Sequence, residues 1–294
     1  MDLIKTNSQI ARNDFYALVN FDNRVSSSTA YVYALQCAKF NKWLTAQGVP
    51  PESVTGRVVS LYAAFLKDSE GLTAETINTS LKALKRFYMA LVHEGFAPGN
   101  PCDGIGYLQE QSSADRAESI SSKTLTIEQV EILNRKLLKD TTERGRQRYA
   151  IFYTLIKCGL RASELASLRF ANIIFEDGGT GYNYAEIREK TEKPILIEFE
   201  GKGKKTRKVE FDESILKHIL TYHALIDQHD FFFYTVPANG KQQRTPVNRF
   251  NLYHAVRKIG QVIGRKTWTH LFRHSYATIS IQRGAKIQDV SSRL

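Results

Sequence analysis

Cysteine is scarce in this chain. Cys37, Cys102 and Cys158 are odd in number, far apart and without a CxxC spacing. That argues against a disulfide framework and against a cysteine zinc site, and predicts reduced thiols, with Cys37 and Cys158 buried in helices. Long apolar runs are missing too, since none approaches the 18 or so residues of a membrane span. The opening MDLIKTNSQIARNDF lacks a charged-then-apolar leader pattern. A cytoplasmic chain with no membrane partner is the expectation. Acidic residues number 30 against 41 lysines and arginines, a formal charge of +11. A surplus of that size points to a polyanion, nucleic acid before anionic membrane, although a merely basic soluble protein would carry the same charge. A P-loop would need a glycine where Glu198 stands, and a zincin HExxH would need a glutamate where Leu271 follows His270. Neither a metal nor a nucleotide cofactor is expected.

What is present is an ordinary globular composition, 42% apolar and 24% charged, over 294 residues, enough for two cores. Helical spacing marks 8–21, 26–48, 58–71 and 73–95, an all-helical module over 1–106. The stretch 107–123, YLQEQSSADRAESISSK, is polar and serine-rich and reads as a linker. A new helix starts near Thr126, its expected N-cap. Helical patterns at 144–158, 161–168, 214–226 and 246–260 surround three strand-like runs at 172–176, 195–200 and 207–211. Pro246 suits a first helical turn, and GGTGYNYAEIREKTEK reads as a hairpin or loop. The fold class is mainly α with a small antiparallel β-sheet, the second domain occupying 124–294.

Three stretches carry chemistry. In CGLRASEL, Gly159 ends one helix and Arg161 opens the next, with Glu164 placed to orient the guanidinium. Alone, this could be an ordinary helix-junction pair. EGKGKKTRKVEF is a strand–turn–strand with Lys202, Lys204, Lys205, Arg207 and Lys208; its alternatives are a solvated basic loop and a phosphate-contacting hairpin. In THLFRHSYAT, residues three and four apart put His270, Arg273 and His274 on one helix face. Two arginines can clamp phosphate oxygens bidentately while a histidine moves a proton.

CGLRASELASLRF, GKGKKTRKV and THLFRHSYAT, in this order and behind a helical module and linker, resemble the tyrosine recombinases of the phage integrase family, over roughly residues 10–294. The resemblance implies a SAM-like core-binding domain and a catalytic domain that clamp duplex DNA. It makes Arg161 and Arg273 the phosphate clamp, Lys202 the general acid for the departing 5′-hydroxyl and His270 a proton-transfer residue, with Glu164 and His274 supporting. A tyrosine would attack the phosphate to leave a 3′-phosphotyrosyl link, with no cofactor. Implied partners are double-stranded DNA with inverted-repeat half-sites and further protomers, as a tetramer on DNA. Lys82, Lys85, Arg86, Lys204, Lys205 and Arg207 are the expected DNA contacts, or else a solvated helix face and loop.

The family's nucleophile lies some thirty residues beyond its HxxR motif, whereas this sequence ends at Leu294. Tyr276 occupies a position where the family has an aromatic core residue. A chain that binds DNA without cleaving it alone is therefore expected. The rival readings are a non-cleaving regulator derived from a recombinase and a type IB topoisomerase. An RNA-binding protein would need an aromatic signature that the chain lacks.

Overall fold

The computed structural model describes residues 12–109, 124–200, 206–237 and 243–293. Backbone contacts divide the chain into two units, Met1–Arg116 and Ala117–Leu294. The expected linker at 107–123 and the glycine turn at 201–203 lie largely or wholly outside the described residues.

The first unit is helical: α1 (Arg12–Val19), α2 (Ser27–Ala46), α3 (Gly56–Asp68) and α4 (Ala74–His93). In α2 the buried residues Ala30, Ala34, Cys37, Phe40 and Leu44 recur every three or four positions, and Ser26 caps the helix by accepting the Thr29 N–H. In α4, Thr73 caps through the Thr76 N–H, and Ile77, Leu81, Leu84 and Phe87 face inward. Phe40, Trp43, Tyr62 and Phe65 form a ring cluster beneath them. Each such buried side chain stabilises the module by about 1.5–3 kcal/mol. The thiols of Cys37 and Cys102 are free and buried. Burial pushes both up, that of Cys102 to about 12, so neither is a nucleophile at neutral pH.

The second unit begins with α5 (Ile127–Leu137), started by a Thr126–Gln129 capping box. It continues through α6 (Glu143–Cys158), α7 (Ala162–Ser167), β1 (Ile173–Phe175), α8 (Tyr184–Glu189), β2 (Pro194–Glu200), β3 (Thr206–Glu210), α9 (Glu213–His223), α10 (Arg249–Gln261), α11 (Thr269–Gln282) and α12 (Ile287–Arg293). The sheet is antiparallel in the order β1-β2-β3, with Ile197 opposite both Ile173 and Val209. Its buried face, with Phe175, Phe199 and Phe211, closes a core shared with Phe152 of α6 and Phe272 of α11. Those two rings meet edge to face at 6.0 Å.

Two sequence expectations need correction. The glycine-rich stretch before β2 contains a helix, α8, because Asn183 and Glu186 form a capping box. Pro246 does not start α10. It pairs with Tyr234 in an isolated bridge, and Asn248 caps the helix two residues later, accepting the N–H groups of Phe250 and Asn251.

Candidate active site

The site is built on the corner between α6 and α7. Gly159 ends α6 in the left-handed region, φ 61° and ψ 31°, with its N–H on the Leu155 carbonyl; glycine takes that conformation without a Cβ clash. The chain then extends through buried Leu160, and Arg161 becomes the N-cap of α7. The Arg161 N–H donates to Glu164 Oε2 at 2.7 Å, and its Nη1 donates to Oε1 at 2.6 Å. The Glu164 side chain is 2% exposed and that of Arg161 36%, so the carboxylate is the buried root and the guanidinium faces out.

Two more arginines converge on the same carboxylate. Arg207 of β3 donates from Nη1 to Glu164 Oε1 at 3.3 Å and lies 5.4 Å from the Phe199 ring centroid. Arg273 of α11 brings Nη1 to 3.8 Å from Glu164 Oε2 and donates it to the Gly159 carbonyl at 2.8 Å. Three guanidiniums thus crowd one buried carboxylate. Burial, reinforced by Arg161 and Arg207, pushes the pKa of Arg273 down to about 10, with Glu164 opposing. Burial also lowers that of Arg207, again against Glu164. Both remain charged at neutral pH, and a bound anion would relieve the strain of crowding like charges.

His270 and His274 sit on the exposed side of α11, their rings 6.4 Å apart. Desolvation lowers the pKa of His270, followed by the charges of Arg273, His274 and Arg161. It is therefore mostly neutral at pH 7, able to accept or pass a proton. His270 lies in the first turn of its helix, and Trp268 offers that turn no side-chain cap, leaving a field that favours an anion. Tyr276 is half-buried, one turn beyond Arg273.

The remaining sequence candidates are scattered. Lys202, Lys204 and Lys205 lie outside the described residues. Lys82 sits 5.4 Å from the Tyr107 ring and Lys85 3.4 Å from an Asp103 oxygen, both exposed on α4. Arg86 is engaged inside its own module, bonded to both Asp22 oxygens and to the Val19 carbonyl at 2.9 Å, above the Phe21 ring. Arg207, expected among the DNA contacts, stands beside Glu164. Alternation on β3 was the available signal, because Val209 and Phe211 point inward and Arg207 shares their face. Among the described residues, no group of three or more His, Cys, Asp or Glu gathers to hold a metal.

Comparison with known proteins adds an independent finding. The profile described as Phage integrase family matches residues 123–294, and that described as Phage integrase, N-terminal SAM-like domain matches residues 13–95. Tyrosine recombinase XerD of Rickettsia prowazekii (strain Madrid E) is 22% identical over 290 residues, covering 95% of this chain and 86% of the relative. The fold is similar to XerH site-specific recombinase bound to a palindromic difH substrate, with a TM-score of 0.66, 19% identity and coverage of 97% and 77%. It is also similar to a lambda integrase(75-356) dimer bound to a COC′ core site, with a TM-score of 0.63, 11% identity and coverage of 96% and 93%.

Proposed function

The chain belongs to the phage integrase family, the tyrosine recombinases, and on that premise we propose that its arginine cradle holds a backbone phosphate at a specific site in duplex DNA. The observation that carries this is the convergence of Arg161, Arg207 and Arg273 on one buried carboxylate. Like charges held this close at one point favour an anion among them. Arg161 and Arg273 grip the non-bridging oxygens, Arg207 adds charge behind them, and Glu164 fixes all three. Phosphoryl transfer depends mainly on stabilising charge at those oxygens.

In the full reaction, a tyrosine oxygen attacks phosphorus, the P–O5′ bond breaks, and a proton passes to the departing 5′ oxygen. Lys202 is assigned that proton and His270 the one from the tyrosine. No metal or nucleotide enters, because the phosphotyrosyl ester keeps the bond energy for religation. Tyr276 is assigned to the core and not to the attack.

XerH bound to a palindromic difH substrate and the lambda integrase dimer bound to a COC′ core site support two protomers on inverted half-sites; on paired sites we assign a tetramer. Lys82 and Lys85, exposed on α4, join the phosphate contacts. We place the protein in the cytoplasm; no described helix is long and apolar enough to cross a membrane.

The deciding experiment is selection of random duplexes and sheared genomic DNA by the purified chain at moderate salt. Enrichment of a short inverted repeat is expected, lost on Arg273→Gln. Retention without sequence preference would favour a topoisomerase-like or general binder. On a nicked duplex carrying the selected site, a covalent adduct through Tyr276, seen on a denaturing gel, would overturn its assignment to the core.

A further inference from the structure

The helix that carries His270 and Arg273 is fastened from two sides. On one, Arg273 reaches the Gly159 carbonyl at the α6–α7 corner. On the other is Ser275, two residues on and about 200° around the helix. Its hydroxyl accepts the Leu125 N–H at 2.8 Å and donates to the Leu271 carbonyl at 2.7 Å. Ser275 is fully buried, and Leu125 is 2% exposed. A second fastening lies in the turn before α11, where Arg265 Nη1 donates at 2.8 Å both to the Thr124 carbonyl and to Gln129 Oε1. Thr124 and Leu125 are the first described residues after the linker, and Gln129 belongs to the capping box that starts α5. The segment 265–275, which presents the clamp, is thus bonded directly to the start of its own domain.

We propose that Ser275 and Arg265 are positioning residues: they latch the linker end of the catalytic domain onto α11 and so set where Arg273 and His270 meet the phosphate. This rests on the reading of the cradle as a DNA phosphate site. The latch supplies what the helix itself lacks. Trp268 gives α11 no side-chain cap, whereas Thr126, Asp212 and Asn248 cap α5, α9 and α10. Without the Ser275 oxygen, the buried Leu125 N–H loses its acceptor and the inner side of α11 loses its tie. The Arg273 guanidinium, already at 3.8 Å from Glu164, is then free to shift, and displacements of an ångström are costly at phosphoryl sites.

The test is a double-mutant cycle on the full chain, read as affinity for a duplex carrying the selected site at fixed salt. Ser275→Ala is expected to weaken binding about tenfold, the worth of one good hydrogen bond. Ser275→Thr, which keeps the hydroxyl, restores most of it. In an Arg273→Gln background the Ser275→Ala effect shrinks, because one of the two residues through which it acts is gone. Arg265→Gln gives the same pattern and carries the test alone if Ser275→Ala does not fold. Undiminished binding by folded Ser275→Ala and Arg265→Gln overturns the proposal, and so does a loss that persists unchanged in the Arg273→Gln background. If the wild-type chain binds and Arg273→Gln does not weaken it, the cradle reading itself has failed, and this inference with it.

Discussion

Each of the two units sets arginine against carboxylate, with different surroundings. In the N-terminal unit Asp22 holds Arg86, with the exposed Arg24 also at 3.6 Å, and the Val19 carbonyl and Phe21 ring complete the Arg86 shell. In the catalytic unit three arginines share Glu164. The first arrangement describes a structural tie within its own module. The second crowds three guanidiniums around one buried carboxylate, the place we propose a phosphate fills. A guanidinium's burial is therefore uninformative about function until its partners are counted.

The largest effect should come from removing the shared carboxylate. Glu164→Gln leaves three clustered guanidiniums without their counter-charge and the Arg161 N–H with a weaker acceptor. Breaking a buried pair from one side costs roughly 3–5 kcal/mol, a fall in the unfolding temperature of about 10 °C or more for a domain of this size. Millimolar inorganic phosphate should recover part of that loss, because it occupies the same positive pocket. If phosphate stabilises the variant no more than chloride at equal ionic strength, the arginine cluster is not an anion site.

The cradle was only partly legible in the sequence, for local reasons. Arg161, Glu164 and Arg273 belong to short motifs whose helix spacing fixes their direction, and in the structure these three meet. Arg207 was hidden by its neighbours, since a run of lysines and an arginine suggests a solvated loop unless the strand alternation through Val209 and Phe211 is carried back to it. Arg86 could not be told from Lys82 and Lys85, because its partner Asp22 is 64 residues away and no local pattern announces a long-range ion pair. Most helices of the fold were readable from apolar spacing and caps. The helix α8 was obscured by the glycines before it, although the capping pair Asn183 and Glu186 stood in plain sight.

The N-terminal tie should respond less strongly, and differently. Arg86→Ala removes the main partner of Asp22 and leaves the Val19 carbonyl without its Nε donor. Because the pair is partly open to solvent, the fall in unfolding temperature should be roughly half that of Glu164→Gln or less. Phosphate should not restore it. The Arg86 hydrogen bond holds the Asp22 carboxyl below its ordinary value of 3.8. Its contribution is thus present above that value and lost as pH falls through the folded pKa. An acid titration of wild type against Arg86→Ala, followed by circular dichroism, should show the two curves converging only below about pH 4. Equal sensitivity of both chains to phosphate would erase the contrast between the two units.

Acid should act on the cradle with the opposite sign once DNA is present. In the free protein, burial and the surrounding cations hold the His270 pKa below its ordinary 6.5, so protonation disfavours the folded, unliganded state as pH falls through that range. A phosphate in the cradle reverses the local field and raises the same pKa. Binding then takes up a proton, and affinity rises as pH falls from 7.5 towards 5.5, by at most about tenfold per unit for a single group. His270→Asn should flatten this dependence while leaving the salt slope nearly intact at the alkaline end of the range, where the ring carries little charge. Proton uptake can be measured by calorimetry of binding in two buffers of different ionisation enthalpy. An uptake that survives His270→Asn would move the titrating group to His274 or elsewhere, and His270 would lose its place beside the phosphate.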